Sequence, residues 1–293
     1  MNPVEKPEGG LTAPFVAPGW NLGRLVLTPN GRPLVMGILN LTPDSFWPGS
    51  RTEGLDMAIA RAREMIAAGC DLLDLGAEST RPGAEPVTAT EEQDRLLPVL
   101  EALRGETDIP LTVDTVRAAT ATASLDAGAD AINDISAATL DPDMLPLVAA
   151  AGCGLVLMHM QGTPRTMQNA PSYRDVLAEV RGWLAARCRL AEEAGVAPDR
   201  LMVDPGIGFG KNLAHNLALL KGLSEVPGDR PLLLGASRKR FIAAVTGAGV
   251  DDRLGGSLAS LAAAWQGGAT MVRVHDVAAT VQFLEVMKSI AET

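Results

Sequence analysis

A two-part unit recurs eight times from residue 34 to the C-terminus: a short β-branched or Leu-rich run, a polar turn with Gly or Pro, then a longer Ala/Leu segment. The apolar runs cover 34–39, 72–75, 111–113, 129–132, 154–158, 201–203, 232–234 and 271–274, each of strand length. Runs that are apolar throughout, rather than at alternate positions, mark strands covered on both faces, so they predict a parallel sheet flanked by helices. Helical spacing is clearest over 56–68, 91–104, 174–194 and 278–290, where apolar residues recur three and four apart with charges opposite. Gly69, Gly128, Gly152, Gly195 and Gly268 follow Ala-rich ends, where a left-handed helix cap is needed. Eight consecutive units in 293 residues predict an α/β fold, a single closed (β/α)8 TIM barrel over 31–293. A doubly wound open sheet has the same local pattern and is the alternative. Residues 1–30, with Pro3, Pro7, Pro14, Pro18 and Pro29, read as a flexible lead or short hairpin.

Charge limits the partners. With 25 basic and 35 acidic side chains the formal charge is −10, which disfavours broad attraction to nucleic acid or anionic lipid. Aromatic residues make up only 3%, too few for a base-stacking platform. Any anion site must therefore be local. Cys70, Cys153 and Cys188 are scattered and odd in number, which suits packing in a reducing cytoplasm better than a disulfide framework. The N-terminal residues lack the cationic start and apolar run of a signal peptide, and the apolar stretch 145–158 is too short to span a bilayer.

A barrel of this kind carries its chemistry where strands end. Those positions hold Asn40, then Glu78-Ser79-Thr80-Arg81, Asp114, Asn133, His159 with Gln161, Asp204, Ser237-Arg238-Lys239, and Arg273 with His275. Asp114, Asn133 and Asp204 directly follow apolar runs, so they are predicted at a shielded mouth where an unpaired carboxylate is costly. A flat heterocycle with an amino group beside a ring N–H would satisfy such acids in bidentate fashion. Internal pairing with Lys239 or Arg238 would satisfy them as well. Arg273 and His275, two apart, face one side of an extended strand end in the customary phosphate position, so an anionic ligand is expected.

The loop Asp204-Pro205-Gly206-Ile207-Gly208-Phe209-Gly210-Lys211 is neither a dinucleotide fingerprint nor a Walker loop. His159, His215 and His275 have no metal-ligand spacing, and His215 reads as a helix-surface residue. A hard ion such as Mg2+ can still bind through Asn40 and ligand phosphates.

Taken in order, Gly37-Ile38-Leu39-Asn40-Leu41-Thr42-Pro43-Asp44-Ser45-Phe46, Asp74-Leu75-Gly76-Ala77-Glu78-Ser79-Thr80-Arg81-Pro82-Gly83, the Asp204 to Lys211 loop, Ser237-Arg238-Lys239 and Arg273-Val274-His275 resemble the bacterial dihydropteroate synthases. The resemblance spans about residues 34 to 276. It implies a pterin-binding barrel that condenses 6-hydroxymethyl-7,8-dihydropterin diphosphate with 4-aminobenzoate for folate biosynthesis, with Mg2+, sulfonamide sensitivity and a homodimer. It further implies that Asp114, Asn133, Met158, Asp204, Phe209, Lys239 and Arg273 hold the pterin. Asn40, Thr80, Arg273 and His275 would gather the diphosphate with the metal at Asn40, and Phe46, Arg81, Pro82 and Ser237 would form the aminobenzoate site. Lys239, Arg273, His275 and Asp204 would carry catalysis. One departure is Trp47-Pro48-Gly49-Ser50, where the family usually has Ser-Asp-Gly-Gly after the phenylalanine. The alternatives are a catalytically silent pterin-binding homologue, motivated by Pro48, and a methyltetrahydrofolate methyltransferase, which has no need of Ser237-Arg238-Lys239 or the Arg273/His275 pair.

Overall fold

In a computed structural model of the chain, residues 15–42, 51–79 and 87–293 are described. Strands β1 (Trp20–Asn21) and β2 (Val26–Leu27) pair as an antiparallel hairpin. They precede β3 (Leu34–Asn40), β4 (Leu72–Gly76), β5 (Leu111–Asp114), β6 (Ala131–Asp134), β7 (Gly154–Met158), β8 (Leu201–Asp204), β9 (Leu233–Leu234) and β10 (Met271–Val274). These last eight form one parallel sheet in the order β8-β7-β6-β5-β4-β3-β10-β9. Val203 on β8 bridges to Leu232 ahead of β9, so the two ends meet and the sheet is a barrel rather than an open doubly wound layer.

The helices are α1 (Arg51–Ala67), α2 (Ala89–Glu106), α3 (Ala118–Asp126), α4 (Met144–Ala151), α5 (Val176–Glu193), α6 (Leu213–Lys221), α7 (Arg240–Thr246), α8 (Leu254–Gln266) and α9 (Val277–Ala291). Local chemistry sets their ends. Thr88 and Glu91 form a reciprocal capping box that starts α2, and the Asp175 carboxylate accepts from Ala178 N at 3.0 Å to start α5. Gly69, Gly128, Gly152, Gly195 and Gly268 all take φ between 63 and 102°, the left-handed turn the sequence predicts for them. The fourth apolar run differs from its predicted bounds: the sequence predicts a strand over 129–132, whereas β6 covers Ala131–Asp134. Asp130 belongs to the turn, because its carboxylate accepts from Leu111 N at 2.8 Å and pairs with Arg104 at 2.7 Å.

Two apolar cores result. One fills the space between the outer face of the sheet and the helices, and holds fully buried Leu39, Leu75, Leu100, Leu155 and Leu201. Burying each such side chain contributes roughly 1.5–3 kcal/mol before entropy is counted. The second lies inside the barrel, where Leu34, Met36, Leu72, Ala131, Val156, Met202, Leu233 and Met271 meet Trp20 and Leu22 of the hairpin. Trp20 is fully buried and donates Nε1 to the Arg200 carbonyl at 2.9 Å. Gly154 leaves it room, since a Cβ there would lie 2.8 Å from Trp20 Cζ2 and 2.7 Å from Leu22 Cδ2. The apolar plug therefore seals one end and leaves the other for polar groups. Cys70, Cys153 and Cys188 are free and buried, and burial pushes their thiols up to about 12, 11 and 11, in keeping with packing.

Candidate active site

Side chains alternate across a strand, and register partners in a parallel sheet share a face. Asp74 lies beside Thr112, Asp114 beside Gly76 and Asn133, Met158 beside Asp204, and Arg273 beside Met36. Because Met36, Ala131, Met202 and Met271 face the inner core, their partners and the residues two further along face the interior as well. The interior is therefore apolar at the hairpin end and polar where the strands finish. Asn133 and Asp204 are 3% and 5% exposed, so their polar atoms must find partners.

Asn133 donates Nδ2 to Asp74 at 3.2 Å, and Arg273 bonds two carboxylates of the same interior. Its Nε donates to Asp74 Oδ2 at 2.5 Å and its Nη2 to Asp114 Oδ2 at 2.9 Å. Burial pushes the Asp114 carboxyl up to about 7, with Arg273 opposing and Asp74 reinforcing the shift. Asp114 therefore sits near the point of releasing its proton at neutral pH. Asp204 Oδ1 accepts from Gly206 N at 2.7 Å. Its other oxygen, the Lys239 ammonium and Arg273 Cβ converge on Gly235: a Cβ there would stand 3.7, 3.8 and 3.9 Å from them. With no side chain at Gly235, the space there is bordered by the Asp204 carboxylate, the Lys239 ammonium and the Cβ of Arg273. Burial raises the Asp204 carboxyl while Lys239 opposes it, and burial lowers Lys239 to about 8 against the attraction of Asp204. Lys239 also donates to the Ile207 carbonyl and lies 4.7 Å from the centre of the Phe209 ring.

Lys211 supports this side from behind. It is 3% exposed and donates to Phe209 O at 2.8 Å, His159 O at 3.2 Å and His159 Nδ1 at 3.0 Å. Burial and the neighbouring ammonium push His159 down to about 3, leaving a neutral ring that accepts at Nδ1. Asn216 completes the clamp by accepting from Gly208 N at 2.7 Å. The glycine-rich loop is thus a rigid wall that presents Phe209, and His159 belongs to the wall rather than to the mouth.

At the rim, Ser237 Oγ lies 3.1 Å from His275 Nδ1 and accepts from His275 N at 3.2 Å. Arg238 turns away: at φ 55° it makes two bonds to Asp276, at 2.8 and 2.6 Å, so it pairs with neither Asp114 nor Asp204. Among the described residues, then, the structure brings Asp114, Asn133, Met158, Asp204, Phe209, Lys239 and Arg273 to one mouth, with Asn40, Ser237 and His275 at strand ends beside it. Phe46, Thr80, Arg81 and Pro82 lie outside the described residues. Two participants escaped the sequence reading. Asp74 is a carboxylate inside the apolar run Leu72-Leu73-Asp74-Leu75, and that interruption was its signal. Lys211 looks like a solvated loop cation, and nothing local reveals that it is buried.

An eight-stranded parallel barrel, plugged at one end and lined at the other with acids, an amide and shielded cations, has the architecture of the barrel enzymes that carry their chemistry at the strand ends. Residues 36–275 match the family model described as pterin binding enzyme. A dihydropteroate synthase of Synechocystis sp. is 43% identical over 274 residues, covering 93% of this chain and 95% of that protein. Among solved structures, the Xanthomonas albilineans dihydropteroate synthase with 4-aminobenzoic acid is 43% identical with a TM-score of 0.87, covering 95% of this chain and 100% of its own. The Burkholderia cenocepacia enzyme complexed with 7,8-dihydropteroate is 45% identical with a TM-score of 0.85, covering 95% and 98%. The chain belongs to the pterin-binding enzyme family, among its dihydropteroate synthases.

Proposed function

We infer that the mouth of this barrel condenses 6-hydroxymethyl-7,8-dihydropterin diphosphate with 4-aminobenzoate, giving 7,8-dihydropteroate and diphosphate. The carrying observation is the convergence of Asp114, Asn133, Asp204, Lys239 and Arg273 on one shielded cradle in a chain of this family. The pterin edge offers an amino group and ring N–H to acids that otherwise hold their charge at a cost. When the ring enters, Asp114 exchanges the Arg273 Nη2 for a ring donor. That arm of Arg273 is then free to lie over the ring, while its Nε stays on Asp74.

In the reaction the C–O bond to the diphosphate breaks, a C–N bond to the aromatic amine forms, and the amine releases a proton. No strong base is required, because the difficulty lies in the departing anion and the cationic ring left behind. Asp204 and Asp114 stabilise that cation from below. Lys239 holds the ring in register, and Phe209 and Met158 exclude water. Asn40, Arg273 and His275 form the diphosphate side and Ser237 borders the aminobenzoate side; the family resemblance assigns Thr80 to the first and Phe46, Arg81 and Pro82 to the second.

The described residues contain no cluster of three or more His, Cys, Asp or Glu suited to a metal. Asn40 at the end of β3 offers one uncharged side-chain oxygen, a donor of the kind that would hold Mg2+ alongside substrate phosphates. Bound there, the ion supplies charge neutralisation on the leaving oxygens. A homodimer and a cytoplasmic setting are part of the same proposal, supported by family membership, an acidic composition and reduced, buried cysteines.

The test is formation of dihydropteroate from the pterin diphosphate and labelled 4-aminobenzoate with Mg2+. Product is expected, with Asp204→Ala and Lys239→Ala each weakening pterin binding about tenfold or more while the fold persists. Folded protein that binds pterin yet makes no product would leave only the silent reading.

A further inference from the structure

Asp74 touches neither the rim nor the solvent, yet it contacts two of the groups proposed to grip the ring. It is fully buried in β4, one layer below Asp114. Its Oδ1 accepts from Thr112 Oγ1 at 2.7 Å. Its Oδ2 accepts from Arg273 Nε at 2.5 Å and from Asn133 Nδ2 at 3.2 Å. A carboxylate bonded in this way has no hydrogen to give, so Asn133 can face it only with its NH2 end. The Asn133 carbonyl oxygen is thereby presented on the other side of the amide, to whatever occupies the mouth. The same oxygen of Asp74 fixes the plane of the Arg273 guanidinium through Nε, which determines where its other arm reaches.

We propose that Asp74 is a positioning and specificity residue of the ring-binding mouth: by holding the Asn133 amide in one orientation and Arg273 in one plane, it makes the site demand a hydrogen-bond donor from the ring opposite Asn133. The proposal rests on the pterin-binding reading above. It goes further by assigning the polarity of one recognition contact to a residue that never meets the ligand. Without the buried carboxylate, the Asn133 amide can rotate by half a turn and accept a ring with the opposite hydrogen-bond pattern. A site built around a donor rejects an analogue lacking that donor chiefly because its own polar atom is then left unpaired.

The discriminating measurement is the ratio of dissociation constants for a 2-amino-4-oxo pterin and its 2,4-dioxo analogue, read by calorimetry on the full chain, alongside steady-state kinetics. The wild type is expected to prefer the amino compound strongly. Asp74→Asn, which keeps the volume and removes the charge, is expected to bind the amino compound about tenfold more weakly and to lose about tenfold of that preference. KM for 4-aminobenzoate is expected to hold within about twofold. A residue that serves only the fold would lower the melting temperature without moving the ratio. Thr112→Val, which frees Asp74 to rotate, gives a smaller loss of the same preference and decides the matter if Asp74→Asn fails to fold. A wild type that binds no pterin would overturn the synthase reading and this inference together. A wild type that binds, with both variants or the folded one of them keeping its preference, would overturn this inference alone.

Discussion

Asp114 carries a burial cost that the proposed contact with the pterin edge would remove. Burial raises its carboxyl to about 7, although Arg273 pulls the other way. The folded chain therefore holds the proton at pH values where the unfolded chain has released it. The contribution to stability is full below about pH 4 and is lost as pH rises through about 7. Asp114→Asn stays neutral at every pH. Without ligand, it is expected to match the wild type near pH 4 and to exceed it by about 1–3 kcal/mol at pH 8, while pterin affinity falls. Thermal melts at the two pH values check this, and a wild type more stable than the variant at pH 8 would mean that pairing with Arg273 outweighs burial. At this scale the sequence was informative wherever a polar residue closed an apolar run, as at Asp114, Asn133 and Asp204. It was silent where meaning came from distant partners: Asp74 depends on residues 38, 59 and 199 positions away in the chain.

Between elements, Arg117 joins segments that the strand–helix rhythm leaves separate. Standing before α3, it donates to Glu78 after β4 at 2.5 Å, to the Val87 carbonyl ahead of α2 at 2.8 Å and to Glu92 within α2 at 3.0 Å. It thus ties both ends of the β4–α2 connection to the neighbouring unit. Glu92 is 1% exposed and also accepts from Thr120 at 2.7 Å. Arg117→Met leaves that buried charge without its cation and is expected to cost about 3 kcal/mol in denaturant unfolding. Adding Glu92→Gln is expected to recover part of the loss, which a double-mutant cycle would measure. Strictly additive effects would deny the coupling. The long helices were legible because each carries a sustained apolar stripe: the spacing over 91–104 marks α2, and 278–290 marks α9. Short α3, α4 and α7 have too few turns to show one, and β6 was misplaced because Asp130 acts through Leu111 and Arg104 rather than through its own neighbours.

Across the whole molecule, the closed end and the reactive end make separate demands. Trp20→Ala empties the plug beneath Leu72, Val156 and Met202 and is expected to cost about 3–5 kcal/mol, yet to leave the pterin dissociation constant within about twofold at temperatures where the variant is folded. A large loss of affinity in folded protein would show that the two ends communicate. The eightfold rhythm predicts the closed barrel from sequence, and Val203 meeting Leu232 across the whole sheet removes the open-sheet alternative that shares the same local pattern. That joint lies between Asp204 at the end of β8 and Lys239 beyond β9. A ring gripped by both residues acts as a clasp over the thinnest part of the wall. Deuterium uptake at Val203, whose N–H reaches the Pro231 carbonyl at 2.9 Å, is therefore expected to slow when pterin is bound, with the amides of the β1–β2 hairpin at the closed end unaffected. The substrate would then be one of the staves that hold its own vessel shut.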